Sequence, residues 1–138
     1  MTTQALQDNE LFQTGYLVNG EWRRLDATFD VLNPATGDVV AKVAKAGKTE
    51  TEQAIAAAAN AFPLWRAKTA KARSELLYRW YQLIVEHKSW LAQLMTIEQG
   101  KPLKEAEGEV DYAASFIQWF AEQGKRANGE IIPPAKPG

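Results

Sequence analysis

Four carboxylates crowd one short run: Glu105, Glu107, Glu109 and Asp111. Side chains at that density could hold a cation, because hard cations take carboxylate oxygens as ligands. Lys101 and Lys104 stand beside them, however, and a charged run of mixed sign reads first as a solvated helix face. His87 is the single histidine. It has no cysteine or second histidine with which to build a metal constellation, and no Ser or Asp companion by motif, so it reads as a packed or surface residue. The chain contains no cysteine, which excludes disulfides, thiolate metal sites and thiol catalysis by these residues alone. Gly-x-Gly-x-x-Gly, the phosphate-binding Gly-x-x-x-x-Gly-Lys and the nucleophile elbow are all absent. No basic stripe interleaves with aromatics. On chemistry alone the chain presents no identifiable active site.

The elements that would position these groups follow from bulk properties and patterning. The 138 residues suffice for one domain with a core. Apolar content of 46% and charged content of 24% are ordinary for a folded chain. A net charge of -1 gives no electrostatic reason to expect nucleic acid or an anionic membrane as partner. Residues 1–14 lack a basic stretch followed by an apolar one, so they read as a flexible or short helical leader rather than a targeting signal. No apolar run approaches a membrane span. The expected location is the cytoplasm of a bacterium-like cell.

Tyr16-Leu17-Val18-Asn19-Gly20-Glu21-Trp22 predicts a hairpin, since Asn-Gly accepts the two positive φ angles of a type I′ turn. Thr28–Leu32 predicts a strand stopped by Asn33-Pro34. Ala35-Thr36-Gly37-Asp38 is turn chemistry, and Val39–Val43 returns as a strand. An alanine-rich helix follows, with Thr49 as cap, Glu52 reaching back to it, Ile55 and Phe62 buried, and Pro63 as terminator. Phe62-Pro63-Leu64-Trp65 reads as an apolar plug under the next helix. That helix, capped by Thr69, carries Leu76, Leu77, Trp80, Leu83, Ile84, Leu91, Leu94 and Met95 in one stripe. Run through to Ile97 it would measure roughly 40 Å, at about 1.5 Å per residue.

Gly100 ends this helix and Pro102 opens the next as its first residue. The last helix is apolar on two sides. Leu103, Ala106, Val110, Ala113, Ala114, Ile117 and Ala121 form one face, with Phe120 near it. Tyr112, Phe116 and Trp119 form a second, which needs a cover of its own: a partner chain, a missing domain or a ligand channel. Gly108 costs about 1 kcal/mol there against Ala and marks either a close backbone approach or simple tolerance. Gly124 to Gly129 closes the helix. Glu130-Ile131-Ile132 predicts the beginning of a strand, and 133–138 an extended end.

Several stretches, in register, resemble the N-terminal part of the aldehyde dehydrogenase superfamily. They are Leu17-Val18-Asn19-Gly20-Glu21-Trp22, Asn33-Pro34-Ala35-Thr36-Gly37, Phe62-Pro63-Leu64-Trp65 and Glu98-Gln99-Gly100-Lys101-Pro102. Each is weak alone; their shared order and spacing are specific. Within that family, Met95 to Glu109 and Asp111 to Arg126 are most similar to the members that oxidise succinate semialdehyde, with glutarate-semialdehyde enzymes hard to separate from them. The likeness runs from about Leu11 onward and covers only the opening part of the family's length.

The resemblance implies an α/β fold: a small antiparallel β region followed by three helices of a Rossmann-like cofactor domain. Residues 1–138 would be an incomplete N-terminal portion of that domain. It implies a Cys thiolate that attacks the aldehyde, hydride transfer to NAD or NADP, and a Glu-activated water that hydrolyses the thioester. None of those groups has a counterpart here, so the chain is expected to be an inactive fragment. Its partners would be the remainder of the same enzyme, a small semialdehyde substrate in the whole protein, and further copies in a homo-oligomer. Two sets of residues carry over. Glu98, with main chain at Val31 and Leu32, is similar to a monovalent-cation site of some members; a simple helix-end carboxylate is the plainer alternative. Tyr112, Phe116 and Trp119 resemble the helix face bordering the family's substrate tunnel; core packing is the plainer alternative there. A non-catalytic module that binds a partner through this face is the rival reading of the whole chain, and complementation by a second polypeptide a third.

Overall fold

In a computed structural model, residues 3–133 and Ala135 are described, and the order of elements is α1 (Thr3–Gln7), β1 (Tyr16–Val18), β2 (Glu21–Arg23), β3 (Thr28–Leu32), β4 (Val39–Ala44), α2 (Lys48–Ala67), α3 (Ala70–Glu86), α4 (Lys88–Gln99) and α5 (Leu103–Gln123), with a 3-10 turn at Gly124–Arg126. The strands make two separate antiparallel pairs, β1 with β2 and β3 with β4. The first pair is the hairpin that Asn-Gly demands. Asn19 at φ 54° and Gly20 at φ 79° supply the turn, and Val18 faces Glu21 across it. In the second pair the connecting turn is held by Asn33, whose carbonyl accepts from Gly37 N at 2.8 Å and whose Oδ1 accepts from Ala35 N at 2.9 Å. That is the side-chain turn chemistry Asn favours.

Within the leader, Thr3–Gln7 form a short helix, and it is anchored. Leu6 is fully buried, and α1 packs on α4. The main helical layer is α5 laid against α3 and α4. Ala92, Ala106 and Val110 form its centre, with Ile84, Leu91 and Met95 around them. Two ion pairs stitch the layer from outside. Lys88 Nζ meets Asp111 Oδ2 at 2.6 Å, and Lys101 pairs with Glu109.

The structure corrects several expectations. The alanine-rich helix starts two residues early: Gly47 is its cap, and Gly47 N donates to Glu50 Oε2 at 2.7 Å, so Thr49 and Glu52 do not form the box. Pro63 does not end it; the helix continues to Ala67. Proline removes one amide donor, and residues 58–69 are exposed, so water can satisfy the freed carbonyl. No residue of α2 is buried; Ile55 and Phe62 are exposed, and Phe62-Pro63-Leu64-Trp65 plugs nothing among the described residues. Arg73 ties the end of α2 to α3 by donating to the carbonyls of Arg66 and Lys68.

The expected single helix from Thr69 to Ile97 is two. Thr69 does cap α3, accepting from Ala72 N at 3.2 Å. At His87 the backbone reaches φ -97°, ψ 11°, and the chain sets off again as α4. The break lets α4 bury Trp90 and Ala92, residues outside the expected stripe, while Leu76, Trp80 and Leu83 remain exposed. The helices after the sheets are therefore four, not three. Pro102 is the cap preceding α5 rather than its first residue, and its carbonyl accepts from Ala106 N at 2.9 Å. On α5, Ala106, Val110, Ala114 and Ala121 are buried, whereas Leu103, Ala113 and Phe120 are exposed. A Cβ at Gly108 would meet nothing within 4 Å, so within this chain the residue is tolerated rather than required. Ile131 and Ile132 belong to no strand and are almost wholly exposed. Of the extended end expected at 133–138, Pro134 and 136–138 lie outside the described residues.

Candidate functional site

The residues singled out for a cation lie where β3, β4 and α4 meet. The β3–β4 ladder is regular up to Val31, which faces Ala41; the next pair is Leu32 with Val39. Val40 is thus left over, a β-bulge placed at Val31/Leu32. A bulge breaks the ladder locally and turns main-chain groups out of it. The unpaired main chain is that of Val40, on β4, while Val31 and Leu32 keep their partners, and no side-chain pattern announced it. Glu98, in the last turn of α4, and Val31 line one cavity of about 240 Å³, together with Trp22, Val40, Trp90 and Leu94. Leu32 is not part of that lining. Glu98 itself is exposed.

Two further contacts hold this corner. Gly100 ends α4 in the left-handed region at φ 77°. A Cβ built there would stand 2.9 Å from Pro34 Cγ. The turn after β3 and the joint after Glu98, distant in sequence, therefore touch. On the other side, Gln7 Nε2 donates to the Val40 carbonyl at 2.7 Å. Among the described residues Trp90 Nε1 is buried with no hydrogen-bond partner, an unusual state for a buried donor. Gln7, Val40 and Trp90 were not legible as site residues, because their roles depend on contacts between elements.

The carboxylate run does not gather into a metal centre. Among the described residues no group of three or more His, Cys, Asp or Glu side chains is placed to hold an ion. Glu109 and Asp111 are occupied by Lys101 and Lys88. Lys101 was an expected partner of this run; Lys88, from the far end of α4, was not. His87 is a joint between helices: its N–H donates to Leu83 O and its carbonyl accepts from Leu91 N, both at 3.0 Å.

The second face of α5 is open. Tyr112 is 66% exposed, Phe116 47% and Trp119 58%. Tyr112 and Phe116 meet edge to face with centroids 4.8 Å apart, a favoured aromatic geometry. Phe116, Trp119, Phe120 and Ser115 line a shallow hollow of about 350 Å³. Single exposed apolar residues are ordinary, but a contiguous aromatic row marks a surface that something covers.

The sequence profile of the aldehyde dehydrogenase family matches residues 22–138, and the chain belongs to that family. Among its relatives, it is 55% identical over 132 residues to succinate-semialdehyde dehydrogenase [NADP(+)] of Escherichia coli (strain K12), covering 93% of this chain and 27% of that protein. It is 54% identical over 134 residues to glutarate-semialdehyde dehydrogenase of Pseudomonas putida, covering 96% of this chain and 28% of that protein. Of solved structures, an E. coli NADP-dependent enzyme superposes with a TM-score of 0.89 at 53% identity, over 94% of this chain and 27% of the other. Betaine aldehyde dehydrogenase from Staphylococcus aureus, in complex with NAD+, gives 0.86 at 29% identity, over 97% and 28%. The chain thus spans little more than a quarter of the length of the relatives it matches. Its α/β arrangement of short antiparallel strands and helices is that of the N-terminal part of their fold.

Proposed function

We propose that these residues are the N-terminal scaffold of an NAD(P)-dependent semialdehyde dehydrogenase, with succinate semialdehyde as substrate and glutarate semialdehyde as the alternative. What carries this reading is the identity of 55% to a succinate-semialdehyde enzyme and 54% to a glutarate-semialdehyde one, each over nearly the whole chain. On this reading residues 1–138 are part of the cofactor-binding domain, the enzyme works in the cytoplasm, and the complete protein is a homo-oligomer.

The groups present here do not fit a nicotinamide dinucleotide by themselves. There is no glycine-rich phosphate turn, and no thiol to attack an aldehyde. No catalytic step is therefore derived from this chain, which we expect to be inactive alone. Its contribution is positioning. Tyr112, Phe116 and Trp119 are assigned to one wall of the substrate tunnel; their exposure and continuity support that role. Glu98, with main chain at Val31 and Leu32, is assigned to a monovalent cation; the cavity that Glu98 shares with Val31 supports it. One carboxylate with carbonyl oxygens suits a hard cation of low charge.

The test is reduction of NAD+ and NADP+ with each semialdehyde by the protein in its natural reading frame, and by the 138 residues alone. The longer product should turn over one semialdehyde with clear preference in kcat/KM; the 138 residues should give none. Turnover by the pure chain would overturn the account. The open aromatic face also favours a second reading, a non-catalytic module that binds a partner there. A compact monomer whose amides along Tyr112 to Trp119 resist exchange would support it.

A further inference from the structure

We propose that Gln7 is a positioning residue: through the Val40 carbonyl it holds the β3–β4 bulge and so sets the register of Val31 and Leu32, next to the cavity that Val31 shares with Glu98. The functional meaning of the proposal rests on the cation reading above; the structural part does not. Val40 is the residue left over in the ladder, since Leu32 pairs with Val39 and Val31 with Ala41. The residue is 2% exposed, so its backbone is poorly placed to find water. Its carbonyl accepts from Gln7 Nε2 at 2.7 Å, across 33 positions of sequence.

The neighbouring Leu6 is wholly enclosed, and α1 packs on α4, the helix that carries both Trp90 and Glu98. The leader therefore joins the bulge to the element bearing the carboxylate. Without the amide donor, the buried Val40 carbonyl loses the side-chain hydrogen bond that crosses to it from the leader, and the loss of a buried partner is costly. The relief available to the sheet is to absorb the extra residue by sliding one position. Such a slip turns every side chain to the opposite face and carries the main chain of Val31 and Leu32 with it.

Gln7→Met keeps the length and apolar stem and removes the donor; Gln7→Lys restores an N–H donor. Both are made in the protein expressed at its natural length. In Q7M, amides of peptides covering Val31–Leu32 and Val39–Ala41 should exchange about fivefold faster, the scale of one lost hydrogen bond, while α3 and α5 keep their rates. Q7K should restore slow exchange. The melting temperature is also compared in potassium chloride and in choline chloride at equal ionic strength. The gain from potassium should fall by about half or more in Q7M and return in Q7K, as binding to a distorted site weakens. Unchanged exchange in Q7M overturns the proposal. So does faster exchange with the potassium gain intact, because Gln7 would then be only a clip. If the unsubstituted protein gains nothing from potassium, the cation reading itself fails, and the claim on the bulge is decided by exchange alone.

Discussion

At Gly100 two independent constraints fall on one residue. Its φ of 77° is a conformation L side chains rarely adopt, and the space a Cβ would fill is taken by Pro34. Gly100→Ala should therefore destabilise by more than the usual left-handed penalty of about 1 kcal/mol, toward 2–3 kcal/mol once the clash is added. Chemical denaturation of G100A measures it, and Pro34→Ala in the same background should recover part of the loss. A cost at or under the left-handed penalty alone would mean that the Pro34 contact is not tight. Lys88 offers the opposite case. Its pair with Asp111 is partly exposed, so Lys88→Met should change stability by less than about 1 kcal/mol in the same experiment.

The helices differ in how completely the chain covers them. The seam of α5 with α3 and α4 is built from small residues, with Ala106 and Ala92 wholly enclosed. Small side chains there let the backbones approach, so Ala106→Leu should cost about 1–3 kcal/mol by overpacking. A thermal melt of A106L that matched the parent would show the seam to be loose. α2 is the reverse: twenty residues, none buried. A helix that meets its neighbours only lightly, as α2 meets β1, draws little stability from tertiary contacts, and most helical stability in proteins comes from such contacts. In the 138-residue chain, α2 should be the helix whose amides exchange fastest, which mass spectrometry can rank against α5.

Taken whole, the molecule leaves two sets of large apolar side chains uncovered: Tyr112, Phe116, Trp119 and Phe120 on α5, and Phe62 and Leu64 on α2. Apolar surface on that scale favours association. The 138 residues alone should sediment as concentration-dependent assemblies and enhance the fluorescence of a hydrophobic dye. Replacing Phe116 and Trp119 by Gln should reduce both signals. A monodisperse monomer that ignored the dye would contradict the view that this face is built to be covered. Among the described residues no helix is long and apolar enough to cross a membrane.

Local chemistry wrote much of this fold into the sequence. Asn19-Gly20 set a two-residue hairpin, Thr69 a helix start, Gly100 a helix end, and the spacing of Tyr112, Phe116 and Trp119 an aromatic face, because each depends on residues within one or two turns. The ordered motifs were enough to place the chain in its family. Other features were decided only by contacts between elements. The break at His87 depends on what α5 can cover, the bulge at Val31/Leu32 on how two strands register, and the exposure of α2 on how little of it β1 covers. Gln7 on Val40 and Pro34 under Gly100 belong to the same class. A sequence lists each residue's preferences, but it does not state which distant backbone will arrive beside it, and at the candidate cation site that arrival sets the geometry.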